Sequence, residues 1–244
     1  MDFHLSNQDR QQILTPLKQM IQQHHLINDG DKIAVGLSGG KDSTTLLYLL
    51  TILQQQRFAS FQLVPITLDL GFQGLELTPL HQFVEELGHS LEVISTQIGS
   101  IVFETRQEKN PCSLCANMRR GTLYDAAQKS GCNKVALGHH LDDALETFMM
   151  NLFFNGKLGT FPPATYLDRA NITLIRPLIA VEERMIQKLV RTKALPVIEN
   201  PCPANKHTKR EEMKQLVQQL SNSYPDLRQQ FLHGVQHVDG KSFW

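Results

Sequence analysis

The sequence predicts a doubly wound α/β fold: a mostly parallel five-stranded sheet with helices on both faces, an N-terminal helix before it and a C-terminal helical extension after it. Three observations carry that expectation. From residue 31 onward short β-like runs alternate with helical patterns, which favours right-handed crossovers and parallel pairing. The run Ile33 to Leu37 breaks at Ser38-Gly-Gly-Lys-Asp-Ser43 into a glycine turn and a helix start. A second polar cluster, Gly138-His-His-Leu-Asp-Asp143, follows a later strand pattern in the same way.

Ser6 and the stripe Ile13, Leu14, Leu17, Met20 and Ile21 predict a helix over residues 6 to 25, bent or restarted by Pro16 and packed as a separate element. Ile33 to Leu37 reads as a buried strand, and the helix from Ser43 carries Leu46, Leu47, Leu49, Leu50 and Leu53. Gln62 to Leu68 is the second strand, ending at Asp69. Thr78-Pro79 then opens a helix that Gly88 stops. Leu91 to Ser95 is the third strand, and Ile98 to Phe103 leads into a loop. A helix covers Ser113 to Lys129, Lys134 to Leu137 is the fourth strand, and the apolar helix after Asp143 ends at Asn155-Gly156. Residues 157 to 170, with Pro162-Pro163, read as a loop before the fifth strand, Ile172 to Ile175. Glu182 to Lys193 is a helix whose charges suit its dipole, Leu195 to Ile198 is β-like, and helices over 208–220 and 226–238 close the chain. The expected division is residues 1–30, 31–200 and 201–244. With strand order 3-2-1-4-5, the loops after the first and fourth strands flank one crevice at the switch point.

With 244 residues, 41% hydrophobic and 20% charged, the composition is that of an ordinary soluble globule. No apolar run approaches a membrane span, and Met1-Asp-Phe-His lacks the marks of a signal peptide, so a cytoplasmic protein with no membrane partner is expected. Basic and acidic residues balance at 24 each, but Arg184 to Lys214 holds eight basic against three acidic, enough to contact phosphates or to coat solvated helix faces.

The glycine turn brings backbone amides and a helix N-terminus to one spot, and Lys41 adds a mobile cation. Ser38, Gly39, Gly40, Lys41, Asp42 and Ser43 therefore form a phosphate seat. The spacing is not that of a Walker loop. It is similar to the PP-loop of ATPases that release AMP and pyrophosphate. Gly138, His139, Asp142 and Asp143 lie across the switch point: carboxylates there can hold magnesium and an imidazole can meet nucleotide or substrate. Asp143-Ala-Leu-Glu146 also fits a capping box. Asp42 and Asp69 end strands on the same edge; either can hold magnesium or adenosine, and Asp69 is equally an ordinary turn residue.

Cys112-Ser-Leu-Cys115 opens a helix, a place that lowers thiol pKa and suits a metal, a cluster, a redox pair or a persulfide. Helix rise puts Cys132 about 25 Å from Cys115, at the opposite end of a strand, where it reads as a core residue. Cys202, held extended between Pro201 and Pro203, can reach the active edge, so the candidate set is Cys112, Cys115 and Cys202. Three thiolates leave one iron of a 4Fe-4S cluster open, and zinc completed by a histidine stays an alternative. Thr208-Lys-Arg-Glu211 has a capping-box pattern and sets Lys209 and Arg210 against the helix dipole, which suits an RNA backbone or a plain exposed turn.

Leu37-Ser-Gly-Gly-Lys-Asp-Ser43, Cys112-Ser-Leu-Cys115 followed by Met118-Arg-Arg-Gly121, Ala136-Leu-Gly-His-His140 and Ile175-Arg-Pro-Leu178 occur in an order that resembles the tRNA 2-thiocytidine synthetase (TtcA) family, over residues 27 to 237. The resemblance implies that ATP and Mg2+ bind at Ser38 to Ser43, that O2 of a tRNA cytidine, at position 32, attacks the α-phosphate, and that sulfur then displaces AMP. It implies a 4Fe-4S cluster on Cys112, Cys115 and Cys202. The partners are tRNA and a cysteine desulfurase or other sulfur donor, and a homodimer is one assembly compatible with it. Lys41, Asp42, Asp143 and Arg119 are the expected catalytic residues, with magnesium on Asp42, Asp142 and Asp143. Related thiouridine enzymes of the TtuA type place a lysine where this chain has Arg119, and an arginine binds phosphate but is a poor proton acceptor. They also carry cysteine-rich zinc modules, whereas here no cysteine precedes 112 or follows 202. The alternatives are thiolation of a uridine or a small molecule, or a nucleotide-binding or redox-sensing module without turnover.

Overall fold

β1 (Lys32–Gly36) is buried on both faces and divides the interior: Ile33 and Val35 join one apolar cluster and Ala34 the other, as the twofold period of a strand requires. The computed structural model describes residues 2–106, 111–198, 201–202 and 209–238. The other strands are β2 (Gln62–Asp69), β3 (Glu92–Ser95), β4 (Lys134–Ala136), β5 (Ala164–Leu167) and β6 (Ile172–Ile175), ordered β3-β2-β1-β4-β6-β5. All neighbours pair parallel except β5 and β6. The expected order 3-2-1-4-5 is therefore present, with β6 as its fifth strand.

The sixth strand is a correction. Residues 164–167 were expected in a loop, because Pro162-Pro163 breaks the pattern and only four residues follow before the turn that runs from Asp168 to Asn171 (φ 46°). An edge strand needs ladder bonds on one side only, so proline beside it is tolerated.

The helices are α1 (Asn7–Asp9), α2 (Thr15–Gln23), α3 (Lys41–Gln55), α4 (Thr78–Glu86), α5 (Ile98–Ser100), α6 (Pro111–Lys129), α7 (Leu141–Asn155), α8 (Glu183–Lys193), α9 (Lys209–Ser223) and α10 (Leu227–Gln236). Ser6 caps α1 as expected, its hydroxyl accepting from the Asp9 amide. A π-helical stretch, Arg10–Leu14, joins α1 to α2: Pro16 has no N–H for the regular ladder, and the wider turn lets Thr15 donate to Arg10 O. A second π stretch, Ile101–Thr105, continues α5 where a loop was expected. The N-terminal helices do not pack separately. Leu14, Leu17, Met20 and Ile21 share one core with α3 and α8, because every residue of α3 from Ser43 to Leu53 is buried and must be covered on all sides. Leu195 to Ile198 forms no ladder; instead the Ile198 amide donates to Gly39 O at 2.8 Å. Thr208, half of the capping box expected at α9, lies outside the described residues.

Candidate active site

The phosphate loop is braced by its own residues. Ser38 N–H donates to Ser43 Oγ at 3.2 Å, Gly40 N–H to Ser38 Oγ at 3.3 Å, and Ser43 Oγ donates to Gly40 O at 2.9 Å. Gly39 has φ +77°, and a Cβ there would stand 3.0 Å from the Ile198 Cβ, so both conformation and space require glycine. Gly40 caps α3 with no side-chain bond, which leaves the first amides of a buried 15-residue helix for an anion.

Val35 pairs with Ala136, so the loops after β1 and β4 meet. A Cβ on Gly138 would lie 2.8 Å from Asp42 C and O, which means that the two backbones touch. His140, not Asp143, caps α7: Asp143 N–H donates to His140 Nδ1 and Asp143 Oδ2 accepts from the His140 amide, replacing the expected box with Glu146. Accepting at Nδ1 puts the imidazole proton on Nε2, which faces Asp42 Oδ1 at 3.6 Å and Asp143 Oδ2 at 3.4 Å. Asp42 Oδ2 binds Lys41 at 2.9 Å, while Asp42 Oδ1 is buried with no hydrogen-bond partner. An orphaned carboxylate oxygen on a phosphate seat fits a magnesium ion.

Asp142 does not join that set. Its Oδ2 accepts from the Glu183 amide at 2.7 Å and its Oδ1 from Arg228 Nε at 2.5 Å, so both oxygens are committed to holding α8 and α10. Asp69 is engaged locally: its Oδ1 accepts from the Gly71 amide in a tight turn, while Thr67, Leu68 and Leu70 around it line the crevice. Among the described residues no group of three or more His, Cys, Asp or Glu is gathered for a metal ion.

A cavity of about 480 Å³ starts at Ser38, Asp42 and Ser43, has Ile66, Leu68 and Leu70 as apolar wall, and passes Gly138, His139 and Asp143. It reaches Arg119 and Arg120 on α6, together with Pro201 and Arg210. Burial, with help from Arg176 and Arg210 and against Asp143, brings His139 down to about 4, so its imidazole is neutral at pH 7. Its Nδ1 is buried without a partner, and its ring lies 5.0 Å from Phe161, over which Arg176 also stacks at 4.9 Å. Arg176 Nη1 donates to Pro162 O and Thr165 Oγ1, so the arginine of Ile175-Arg-Pro-Leu178 ties the edge strand to β6.

The α6 helix that lends Ala116, Arg119 and Arg120 to the cavity wall opens with Cys112, exposed, and Cys115, half-buried; Arg119 follows Cys115 one turn later. The Cys115 thiol is pushed up rather than down. Burial dominates, Arg119 opposes it, and Cys202 and Cys112 add to the rise. Cys202 is thus near enough to Cys115 to act on its ionisation. Cys132 is buried among Leu123, Val135 and Leu174, where desolvation pushes it up to about 11, as a core residue requires.

The model of the PP-loop domain family matches residues 8–220. The tRNA-cytidine(32) 2-sulfurtransferase of Geobacter sulfurreducens is 40% identical over 216 residues, 87% of this chain and 84% of the relative, and that of Geobacter metallireducens is 40% identical over 217 residues, 88% and 84%. The chain belongs to this family of PP-loop enzymes. The U34-tRNA thiolase NcsA of Methanococcus maripaludis, solved with its [4Fe-4S] cluster, superposes with TM-score 0.72 at 25% identity, over 93% of this chain and 80% of that one.

Within the family fold, the structure adds residues that spacing did not reveal. Glu183, the first residue of α8, binds Lys41 at 2.9 Å and Lys214 of α9 at 3.1 Å. Burial works to raise the Glu183 pKa, but the two lysines outweigh it and hold it at about 2. Burial likewise works to lower Lys41, and Glu183 and Asp42 outweigh it. Arg210 bonds Glu146 at 3.3 Å and Asp143 at 3.5 Å. The one sequence signal was charge placed against the α9 dipole, read as suiting RNA or a plain exposed turn. The nearest anions are Glu146 and Asp143 of the site itself.

Proposed function

We propose that this chain is an ATP-dependent tRNA thiolase that adenylates the C2 carbonyl oxygen of a tRNA cytidine, releases pyrophosphate and replaces that oxygen with sulfur. The single observation that carries the reading is one cavity lined both by the phosphate loop and by Ala116 and Arg119 of α6, the helix whose first turn holds Cys112 and Cys115. The first amides of α3, from Lys41 to Ser43, hold the triphosphate, and the Lys41 side chain neutralises it as charge moves to the leaving pyrophosphate. Asp42, through its unpartnered Oδ1, and Asp143 are the magnesium ligands. Arg119, a permanent cation on the cavity wall, steadies the α-phosphate and takes no proton. His139, neutral, meets the base.

Cys112, Cys115 and Cys202 fit a 4Fe-4S cluster in donor type, and they would supply three of its four ligands. Such a cluster would present sulfur at its open iron. A cysteine desulfurase or other donor supplies that sulfur, and the cytoplasm, where tRNA is modified, is the place of action. The likeness to NcsA supports uridine as a second substrate reading.

Nucleoside mass spectrometry of tRNA from a deletion strain tests the claim. Loss of 2-thiocytidine, restored by the gene, is expected. Unchanged 2-thiocytidine refutes the cytidine reading, and loss of 2-thiouridine instead selects uridine. An active protein that is colourless and iron-free under anaerobic conditions refutes the cluster.

A further inference from the structure

Lys41 cannot serve a triphosphate without leaving a carboxylate behind. Its Nζ is held by Asp42 Oδ2 and by Glu183 Oε1, both at 2.9 Å, and Glu183 is 9% exposed. A buried carboxylate stripped of its cation is unfavourable, and that penalty would be subtracted from ATP affinity. Lys214 changes that balance. It reaches the same Oε1 at 3.1 Å from α9, and its own side chain is 47% exposed, so it pairs with Glu183 whether or not Lys41 is there.

We propose that Lys214 is a positioning residue for ATP binding: it keeps Glu183 neutralised when Lys41 turns from Glu183 to the phosphates, and so makes the loop lysine available. The proposal rests on the ATP-using reading of the site and adds to it a role for α9, a helix outside the phosphate loop and outside the cysteine set. Glu183 has two functions in this arrangement. It holds Lys41 beside the seat before the nucleotide arrives, and afterwards its charge belongs to Lys214. The backbone supports the same exchange, because the Asp142 carboxylate fixes the Glu183 amide and keeps the start of α8 in place as Lys41 turns outward.

The test is ATP·Mg2+ binding by equilibrium dialysis, with pyrophosphate release on unmodified tRNA measured alongside, in the full chain. Lys214→Met is expected to raise Kd and KM for ATP about tenfold with kcat within about twofold of wild type, the pattern of lost uniform binding. Lys214→Arg is expected to restore affinity, because it retains the cation. The Glu183→Gln/Lys214→Met double variant is also expected to bind ATP within about threefold of wild type, since no buried charge is then stranded. A merely structural role for Lys214 would not be rescued by a second deletion. The proposal is overturned if Lys214→Met leaves ATP affinity unchanged, or if the double variant binds no better than Lys214→Met. Wild-type protein that binds no ATP would overturn the proposed function instead, so the two failures are distinguishable.

Discussion

At the phosphate end of the cavity almost everything is fixed by backbone within six residues: Ser38, Gly40 and Ser43 bond one another, Gly39 occupies a left-handed turn against Ile198, and Gly138 presses on Asp42. At the thiol end the groups come from two distant segments, Cys112 is exposed, and Cys115 has its thiol raised by burial. One end is built before any ligand arrives; the other, on the proposed reading, is a set of donors whose arrangement a bound group would complete. The difference follows from chemistry. A phosphate is recognised by rigid amides, which act best preorganised, whereas thiolates become good ligands only when a metal displaces their protons.

Breaking the thiol end should give the larger effect on product. Cys115→Ser or Cys202→Ser is expected to remove detectable tRNA thiolation, while ATP affinity by equilibrium dialysis stays within about twofold, because the phosphate loop is braced by its own Ser38, Gly40 and Ser43. If either variant also loses ATP binding, the two ends are one unit and the comparison fails. Gly138→Ala attacks the other end. A Cβ 2.8 Å from the Asp42 backbone must part the two loops, and a displacement of about 1 Å there should lower pyrophosphate release about 100-fold. Gly121→Ala, where a Cβ meets nothing within 4 Å, is the matched control and should leave it unchanged.

The contrast also explains what was legible in sequence. Ser38 to Ser43 announces itself because all its parts are contiguous, and strand order followed from alternation together with the switch-point rule. The charge network was hidden because its members are far apart in sequence: Glu183 looks like any acidic residue in a first helical turn, and only β1, β4 and the start of α8 meeting at one edge bring it to Lys41. Asp142 and Asp143 are adjacent in sequence and look equivalent, yet helix periodicity turns Asp142 inward to Arg228 and leaves Asp143 facing the cavity. The thiol pKa was misjudged for a related reason. A helix start lowers it, but the apolar surroundings of Leu70, Val102 and Met118 desolvate Cys115, and burial is the stronger effect.

The Lys41–Glu183–Lys214 bridge gives a smaller effect, on stability. The folded Glu183 pKa of about 2 lies below its ordinary 4.5, so its contribution is complete above pH 4.5 and lost as pH falls toward 2. Thermal melts between those values should show wild type losing roughly 2 kcal/mol more than Glu183→Gln. Parallel acid limbs would show that the bridge adds nothing to the folded state.

Cys132 sharpens the comparison with the least change. It is the one cysteine of the four inside a described core, 6% exposed among Leu123, Ala127 and Val135, on the strand end opposite the cavity. Its thiol, pushed up to about 11, stays protonated at neutral pH and is neither nucleophile nor ready ligand. Cys132→Ala removes one buried sulfur and leaves a small void, which should cost about 1 kcal/mol of unfolding free energy in a denaturant titration. Iron content after anaerobic reconstitution and 2-thiocytidine formation should match wild type. Loss of iron in this variant would mean that the cluster ligands extend beyond one sheet edge, and that Cys112, Cys115 and Cys202 are not the full cysteine set.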